Sequence, residues 1–208
     1  MNFRFYALKL TLVCIIIFII QLIIPGFTNA FLLNERAYYE IWRFVSAIFL
    51  HGNMAHLLYN GFALALFGSI LESMIGGKRF LTVFSATGII ANVIAINFYP
   101  SSLGASGAIY GIIGALILLR PFLMVWALGL PMPIFAAGII WAAGDFIGIF
   151  TPSNVGNMAH LAGMFFGIIL GALYRGYYKK NNIKEGVKSN KIKLDEGSMQ
   201  KWEDKYIR

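Results

Sequence analysis

Long apolar runs separated by short polar connections divide this chain, and their length predicts membrane-spanning helices. A spanning α-helix needs roughly 17 to 25 mainly apolar residues. By that measure, helices are predicted at residues 8–25, 46–70, 80–98, 105–119, 133–150 and 156–175. From residue 177 onward the sequence is polar and has no sustained apolar period. We therefore expect an all-α polytopic membrane protein, with a six-helix transmembrane domain at residues 1–176 and a basic, polar tail at residues 177–208.

The composition supports a membrane protein and argues against nucleic-acid binding. Hydrophobic residues make up 59% of the 208 positions and charged residues 12%, about half the charged share of an ordinary soluble domain. The net charge of +8 comes mainly from the two ends, because residues 10–174 contain five basic and four acidic residues. A nucleic-acid-binding protein would instead need a basic face on a folded domain. The single cysteine, Cys14, excludes an internal disulfide framework.

Basic residues mark alternate connections between the predicted helices. The N-terminus, the 71–79 and 120–132 connections and the tail carry Lys or Arg, whereas the 99–104 and 151–155 connections carry none. Only the 26–45 connection departs from this alternation, because its two arginines are matched by two glutamates. Lys and Arg accumulate on the cytoplasmic side of membrane proteins. We therefore expect a multi-pass protein of the cell membrane with both termini in the cytoplasm.

The fourth predicted helix is short and begins at a serine flanked by small residues. From Ser106 to Leu119 it has 14 residues, which at about 1.5 Å per residue is roughly 21 Å, less than a hydrocarbon core of about 30 Å. Because uncapped backbone cannot face lipid, we expect Gly104-Ala105-Ser106-Gly107 to enter the membrane inside a protein-walled, water-filled cavity. The free N–H groups of the helix N-terminus then favour an oxyanion beside Ser106. A plain N-cap role for this serine is the alternative.

Two stripes of small residues predict that the fourth and sixth helices pack closely. The stripes are Ala159, Gly163, Gly167 and Gly171 on the sixth helix, and Gly107, Gly111 and Gly114 on the fourth. Such faces let two helix backbones approach one another. If they pack, His160 meets Ser106 at the same end of both helices, which is the minimum equipment for nucleophilic catalysis. We expect Tyr110, one turn after Ser106, to orient His160 by stacking.

Two further polar residues share one face of the second predicted helix. His56 and Asn60 are four positions apart, and both can donate side-chain hydrogen bonds. Together with the backbone N–H of Ser106, they are predicted to bind a developing oxyanion. His51 falls off this face, so an interfacial or supporting role is expected for it. A metal site is not expected, because the chain has no His-Glu-x-x-His motif and no acidic ligand near its histidines.

No acidic residue is expected to complete a catalytic triad. Glu72 lies about three helical turns after Asn60, and Asp145 lies late in the fifth predicted helix. Both are interpreted as partners of loop arginines or backbone groups, with a catalytic role left open for Asp145. A two-residue unit of Ser106 and His160 is therefore predicted.

Four ordered motifs resemble those of the rhomboid family of intramembrane serine proteases, over nearly all of residues 40–175. They are Trp42-Arg43 in the first loop, HGNMAHLLYN at residues 51–60, Gly104-Ala105-Ser106-Gly107 with Tyr110, and Ala159-His160-Leu161-Ala162-Gly163 with Gly167. The resemblance implies a six-helix bundle whose short fourth helix starts inside the membrane, and no cofactor. It also implies Ser106 as nucleophile, His160 as base, Tyr110 stacking on that base, and His56 with Asn60 in the oxyanion site.

The expected function is intramembrane endopeptidase activity, through an acyl-enzyme, on the transmembrane segments of single-span membrane proteins. The partners are then transmembrane substrates and the lipid bilayer, while the oligomeric state stays open. Tyr59 and Trp141 are candidate bulky contacts at a substrate gate that involves the fifth helix. The alternative is a non-catalytic, rhomboid-like protein that binds or escorts membrane proteins. A channel is less well supported, because the polar groups gather toward one side of the membrane.

Overall fold

The computed structural model describes residues 4–151, 155–189 and 196–207, which form two compact units, Met1–Arg175 and Gly176–Arg208. The helices are α1 (Tyr6–Ile23), α2 (Phe27–Phe31), α3 (Arg43–Ser46), α4 (Met54–Ala63), α5 (Ser69–Ile75), α6 (Gly77–Ala95), α7 (Ser106–Leu119), α8 (Ile134–Gly148), α9 (Asn157–Ser189) and α10 (Glu196–Tyr206). The strands are β1 (Leu33–Asn34), β2 (Ser101–Ser102), β3 (Met124–Ala127) and β4 (Leu130–Pro133).

Four helical segments in the described part of the chain are long and apolar enough to cross a membrane. They are Tyr6–Ile23, Met54–Ile75, Gly77–Ala95 and Asn157–Lys180. The second consists of α4 and α5, joined without a break by a π-helical turn at Leu64–Gly68. Helices α7 and α8 are apolar but have only 14 and 15 residues. The chain is thus a mostly helical, multi-pass membrane protein, and the count of six spans stays a prediction.

The start of the second span and the end of the last span differ most from the predicted boundaries, and the second span also ends at Ile75 rather than near residue 70. The second span begins at Met54 rather than near residue 46, because the backbone is extended at Leu50 and Asn53 caps the new helix by accepting a hydrogen bond from the His56 N–H at 2.8 Å. Ala47, Ile48 and Leu50 are instead buried in the loop that precedes it. Helix α9 continues past residue 175 to Ser189, since no proline interrupts this polar stretch.

A buried arginine holds the loop between α1 and α4 together. Arg43 is 2% exposed, and its guanidinium pairs with Glu40 and donates to the carbonyl oxygens of Asn29 and Leu32. This internal role accounts for Arg43 and Glu40, two of the four charged residues of the loop. Strand β1 of this loop pairs antiparallel with β2, with Leu33 opposite Ser102. The loop therefore supports the segment that leads into α7.

Helix α1 is held by polar groups from the second span and its preceding loop. The Glu72 carboxylate accepts hydrogen bonds from the backbone N–H groups of Arg4 and Ala7, both at 3.1 Å. Glu72 is therefore a partner of backbone groups, one of the two roles expected for it. At the other end of α1, the Gln21 side chain donates to the His51 carbonyl oxygen and accepts from the His51 N–H, at 3.1 and 3.0 Å.

A β-hairpin, which the sequence analysis did not predict, connects α7 to α8. Strands β3 and β4 pair antiparallel, with Met124 opposite Pro133 and Ala127 opposite Leu130. The two turn residues, Leu128 and Gly129, have φ values of 53° and 77°, as a two-residue hairpin turn with positive φ at both positions requires. The apolar composition of this connection conceals the hairpin, because its side chains do not alternate between polar and apolar.

Helices α7 and α9 pack with their backbones in contact. A Cβ atom at Gly163 would overlap the carbonyl oxygen of Gly107, and one at Gly167 would overlap that of Gly111. On the opposite side, a Cβ atom at Gly111 would overlap Thr87 of α6. Glycine is thus the only residue that permits this distance between α7 and its neighbours.

Replacing Gly167 by alanine should destabilise the protein by about 1–3 kcal/mol, since the new methyl group meets rigid backbone rather than a flexible side chain. Gly144→Ala in α8 is the matched control, because a Cβ atom there has open space and should be neutral or slightly stabilising. Thermal unfolding in detergent would measure both variants. Equal unfolding temperatures for the two would contradict the packing argument.

Candidate active site

A cavity of about 870 Å³ lies around the N-terminus of α7. The span that begins at α4, the 99–104 connection and helices α6, α7, α8 and α9 all contribute to its wall. The side chains that carry chemistry or bulk there are His56, Tyr59, Asn60, Asn92, Ser106, Tyr110, Trp141 and His160. The structure thus brings the predicted nucleophile, base, stacking, oxyanion and gate residues to one cavity, while their roles remain predictions.

Ser106 is the first residue of α7, and a constrained glycine precedes it. Gly104 has a φ of 122°, a conformation that residues with a Cβ atom rarely adopt. A Cβ atom there would also lie 2.7 Å from His56 Cε1. The Gly104 N–H donates to the Ala47 carbonyl oxygen at 2.8 Å, which fixes the approach to the helix. Glycine at this position therefore lets the His56 ring reach the backbone beside Ser106.

His160 lies in the first turn of α9, where its ring is held from one face. The ring stacks on Tyr110 with 4.3 Å between ring centroids and 11° between the planes. His160 is 9% exposed. In the part of the chain that the structure describes, no hydrogen bond joins its ring to the Ser106 hydroxyl. Catalytic hydrogen bonds are often long in ligand-free enzymes and tighten when substrate binds.

Asp145 of α8 contacts this histidine, so the interpretation of Asp145 as a partner of loop arginines or backbone groups was wrong. Its Oδ1 atom lies 2.9 Å from His160 Nδ1, and the carboxylate is 6% exposed. The end of α8 thus meets the start of α9. Gly148 contributes to this approach, because the Asn157 amide occupies the space where a Cβ atom would be.

The second span contributes His56 and Asn60 from one face, as their spacing predicted. The Asn60 amide donates to the His56 carbonyl oxygen at 2.9 Å, which leaves its second N–H for another acceptor. The Gly52 N–H lies 3.5 Å from His56 Nδ1. His51 does not line the cavity; it is 1% exposed and packs edge-on against the His56 ring at 5.1 Å. His51 therefore supports His56 from behind.

The two gate candidates lie at the cavity wall in different surroundings. Tyr59 is 78% exposed, so its ring is available to an approaching chain. Trp141 of α8 packs edge-on against Phe67, with 6.4 Å between ring centroids. Neither placement tests a role in substrate access.

Three further polar residues, not among those predicted, support the site. Gln21 holds the His51 backbone, Asn92 donates to the Phe44 carbonyl oxygen at 2.8 Å, and the Tyr99 hydroxyl accepts from the Met158 N–H at 3.0 Å. Each is a polar side chain within or beside an apolar run. Their polarity could have indicated a structural role, because polar groups at membrane depth require a hydrogen-bond partner.

No group of three or more His, Cys, Asp or Glu side chains that could hold a metal ion occurs among the residues described by the structure. The three histidines therefore differ in their surroundings rather than sharing a ligand. His51 and His56 pack against each other, and His160 pairs with Asp145. The cavity presents the Ser106 hydroxyl group, the imidazole rings of His56 and His160 and the Asn60 amide.

His51 precedes the second span, and the burial of its imidazole should make the free energy of unfolding depend on pH. Burial, followed by the neighbouring His56, lowers the pKa of His51 from 6.5 to about 4. The unfolded chain therefore binds a proton that the folded protein excludes, and stability present above pH 6.5 is lost as the pH falls toward 4. The expected loss is about 3 kcal/mol.

His51→Leu should remove this part of the acid sensitivity, because leucine has no group to protonate. Unfolding temperatures of wild type and variant, measured from pH 4 to pH 8 in detergent, would test this. Curves that decline in parallel would show that His51 does not titrate in this range.

Comparison with known proteins agrees with the motifs. The model of the Rhomboid domain matches residues 38–177. YdcA of Bacillus subtilis (strain 168) is 34% identical over 141 residues, which are 64% of this chain and 67% of YdcA. Rhomboid protease GluP of the same organism is 35% identical over 136 residues, and this chain spans only 26% of its length. Rhomboid protease GlpG of Haemophilus influenzae is 28% identical over 175 residues, 79% of this chain and 88% of GlpG. The chain therefore belongs to the rhomboid family.

Proposed function

We propose that this protein is an intramembrane serine endopeptidase that cleaves transmembrane segments of single-span membrane proteins. The observation that carries the proposal is the common cavity of Ser106 and His160 at the N-terminus of a short, buried helix. Membership of a family whose members include GluP and GlpG, both named rhomboid proteases, supports the same reaction.

The proposed reaction begins with transfer of the Ser106 proton to His160. Because His160 Nδ1 faces Asp145, Nε2 is the nitrogen available to the serine. The Ser106 oxygen then attacks the carbonyl carbon of the scissile peptide bond. His160 returns the proton to the leaving amine, which departs and leaves an acyl-enzyme. Water, deprotonated by the same nitrogen, hydrolyses the acyl-enzyme and regenerates Ser106.

Donors at one end of the cavity would stabilise the negative charge that develops on the carbonyl oxygen. We assign this role to the Ser106 backbone N–H, His56 and the free N–H of Asn60. The position of the His56 ring against Gly104 supports the assignment, because it brings the imidazole next to the first turn of α7. Donors fixed before the reaction require no reorganisation during it.

The proposal also includes the orientation of the protein in the membrane and the path by which substrate enters the cavity. With both termini cytoplasmic, the cavity opens on the opposite side of the cell membrane, where the 99–104 and 151–155 connections lack Lys and Arg. Helices α7 and α8 complete six spans within the domain at residues 1–176, and residues 177–208 form the basic tail. Substrate enters between the second span and α8, past Tyr59 and Trp141.

Substitutions of the two reacting residues should fail to add. Because Ser106 and His160 act as one unit in this mechanism, Ser106→Ala, His160→Ala and the double variant should fall to a similar residual activity. Cleavage of a transmembrane substrate by the purified variants would measure this, with labelling by a serine-directed probe as the second measurement. Unfolding temperatures provide the folding control.

Two results would contradict the proposed function. If folded Ser106→Ala or His160→Ala cleaved substrate at a rate close to that of wild type, the proposed chemistry would be excluded. A wild-type protein that binds transmembrane segments without cleaving them would favour the escort function instead.

A further inference from the structure

Asp145 is a buried carboxylate that a Ser-His unit does not require. It is 6% exposed and is the only charged residue of α8. A carboxylate within an apolar helix is costly unless a partner compensates for its lost hydration. Among the described residues, the basic side chain that contacts Asp145 is His160, at 2.9 Å, rather than a Lys or Arg. The burial of this carboxylate is therefore connected with the base of the site.

Two contacts, one with Tyr110 and one with Asp145, fix the orientation of the His160 ring. Tyr110 restricts the plane of the ring by stacking, and Asp145 engages one of its two nitrogens. An ionised carboxylate only accepts hydrogen bonds, so the proton of the neutral imidazole is held on Nδ1. The Nε2 lone pair is then directed away from Asp145 and into the cavity that Ser106 lines. The same carboxylate stabilises the imidazolium that forms when Ser106 loses its proton.

We propose that Asp145 is a positioning residue for His160, so that the site is a triad of Ser106, His160 and Asp145. This inference rests on the proposed function, since Asp145 acts only through the base. It differs from the two-residue unit that the sequence and the family resemblance imply.

The tautomer of His160 tests the proposal without any substitution of Asp145. The chain has three histidines, so ¹⁵N-histidine labelling gives a small set of ring signals, and the spectrum of His160→Ala identifies those of His160. Nδ1 should be the protonated nitrogen in the neutral wild-type protein. A neutral His160 with its proton on Nε2 would overturn the proposal whether or not the protein is a protease.

Kinetics give the second measurement. Asp145→Asn keeps the size of the side chain but can present an N–H to Nδ1, which favours the wrong tautomer. Its kcat should fall on the order of 10²–10⁴-fold with little change in KM, and Asp145→Glu should recover part of this loss. The matched control is Glu72→Gln, which neutralises another buried carboxylate. It should lower stability without changing kcat or the His160 tautomer.

The results distinguish the role of Asp145 from the protease function itself. A wild-type enzyme that cleaves substrate, with an unchanged kcat in Asp145→Asn, would overturn the triad and leave the protease intact. A raised KM with unchanged kcat would also overturn it, because that result assigns Asp145 to substrate binding. No cleavage by folded wild type would refute the protease, while the tautomer would still report the role of Asp145.

A second, independent observation concerns the hairpin of β3 and β4. Residues 121–144 contain no charged side chain, and Phe122, Trp126 and Leu128 are each at least 75% exposed. In water, such a hairpin would be an aggregation site. Its backbone also differs from an ordinary exposed edge. Pro131 and Pro133 occupy positions of β4 that are not hydrogen-bonded to β3, so their backbone nitrogens face the outer edge of the strand. Because proline has no N–H, that edge carries no donor at either residue.

We infer that this hairpin lies in the lipid interface, with the headgroup and acyl-chain boundary as its partner. Helices α7 and α8 would reach only about 21–23 Å at 1.5 Å per residue, so an apolar connection between them remains within membrane depth. An exposed tryptophan is typical of that boundary. The connection is then part of the membrane-bound surface rather than an aqueous loop.

A variant with Trp126 as its only tryptophan, in vesicles of brominated phosphatidylcholine, tests this location. Bromine near the headgroup should quench Trp126 strongly, and aqueous iodide weakly. Strong quenching by iodide alone would overturn the inference, as would protection from both quenchers in a dimeric protein. If the tryptophan replacements prevent folding, a spin label at Leu130→Cys should be more accessible to oxygen than to a water-soluble nickel complex. The reverse preference would refute the lipid location.

Discussion

The backbone contact between α7 and α9 is the constraint on which the rest of the site depends. Side chains larger than glycine at Gly163 or Gly167 would collide with carbonyl oxygens of α7, so the distance and register of the two helices are set together. That register places Tyr110 under the His160 ring and brings His160 into the cavity that Ser106 lines. Close helix packing therefore sets the geometry of the cavity, because a shift along the stripe would separate Ser106 from His160.

Around this contact, polar groups fix the connections that helices alone would leave variable. Gly104 is held by the Ala47 carbonyl oxygen, and the start of α9 by the Tyr99 hydroxyl. Arg43 and Gln21 do the same for the first loop and for the backbone at His51. Each of these bonds satisfies a group that would be costly without a partner. These bonds support the walls of the cavity inside a largely apolar protein.

The sequence was sufficient to predict most apolar helices, the stripes of small residues and the polar residues that meet at the cavity. These features depend on periodicity within one segment, which is visible in the chain itself. Asp145 was missed as a partner of His160 because their contact joins two different helices, α8 and α9, and periodicity within one segment does not reveal it. The pairing of β1 with β2 and the start of α4 at Met54 likewise follow from contacts between distant segments. The hairpin of β3 and β4 was missed because its residues are apolar on both faces.

The bond between Glu72 and the N-terminus of α1 has a consequence for biosynthesis. Helix α1 leaves the ribosome before the second span, yet the carboxylate that accepts the backbone N–H groups of Arg4 and Ala7, at the start of this helix, lies more than sixty residues later in the chain. Until the span Met54–Ile75 has been inserted, the first turn of α1 can satisfy these groups only with water or lipid headgroups. Final seating of the first helix is therefore a late event in assembly, although its insertion is an early one.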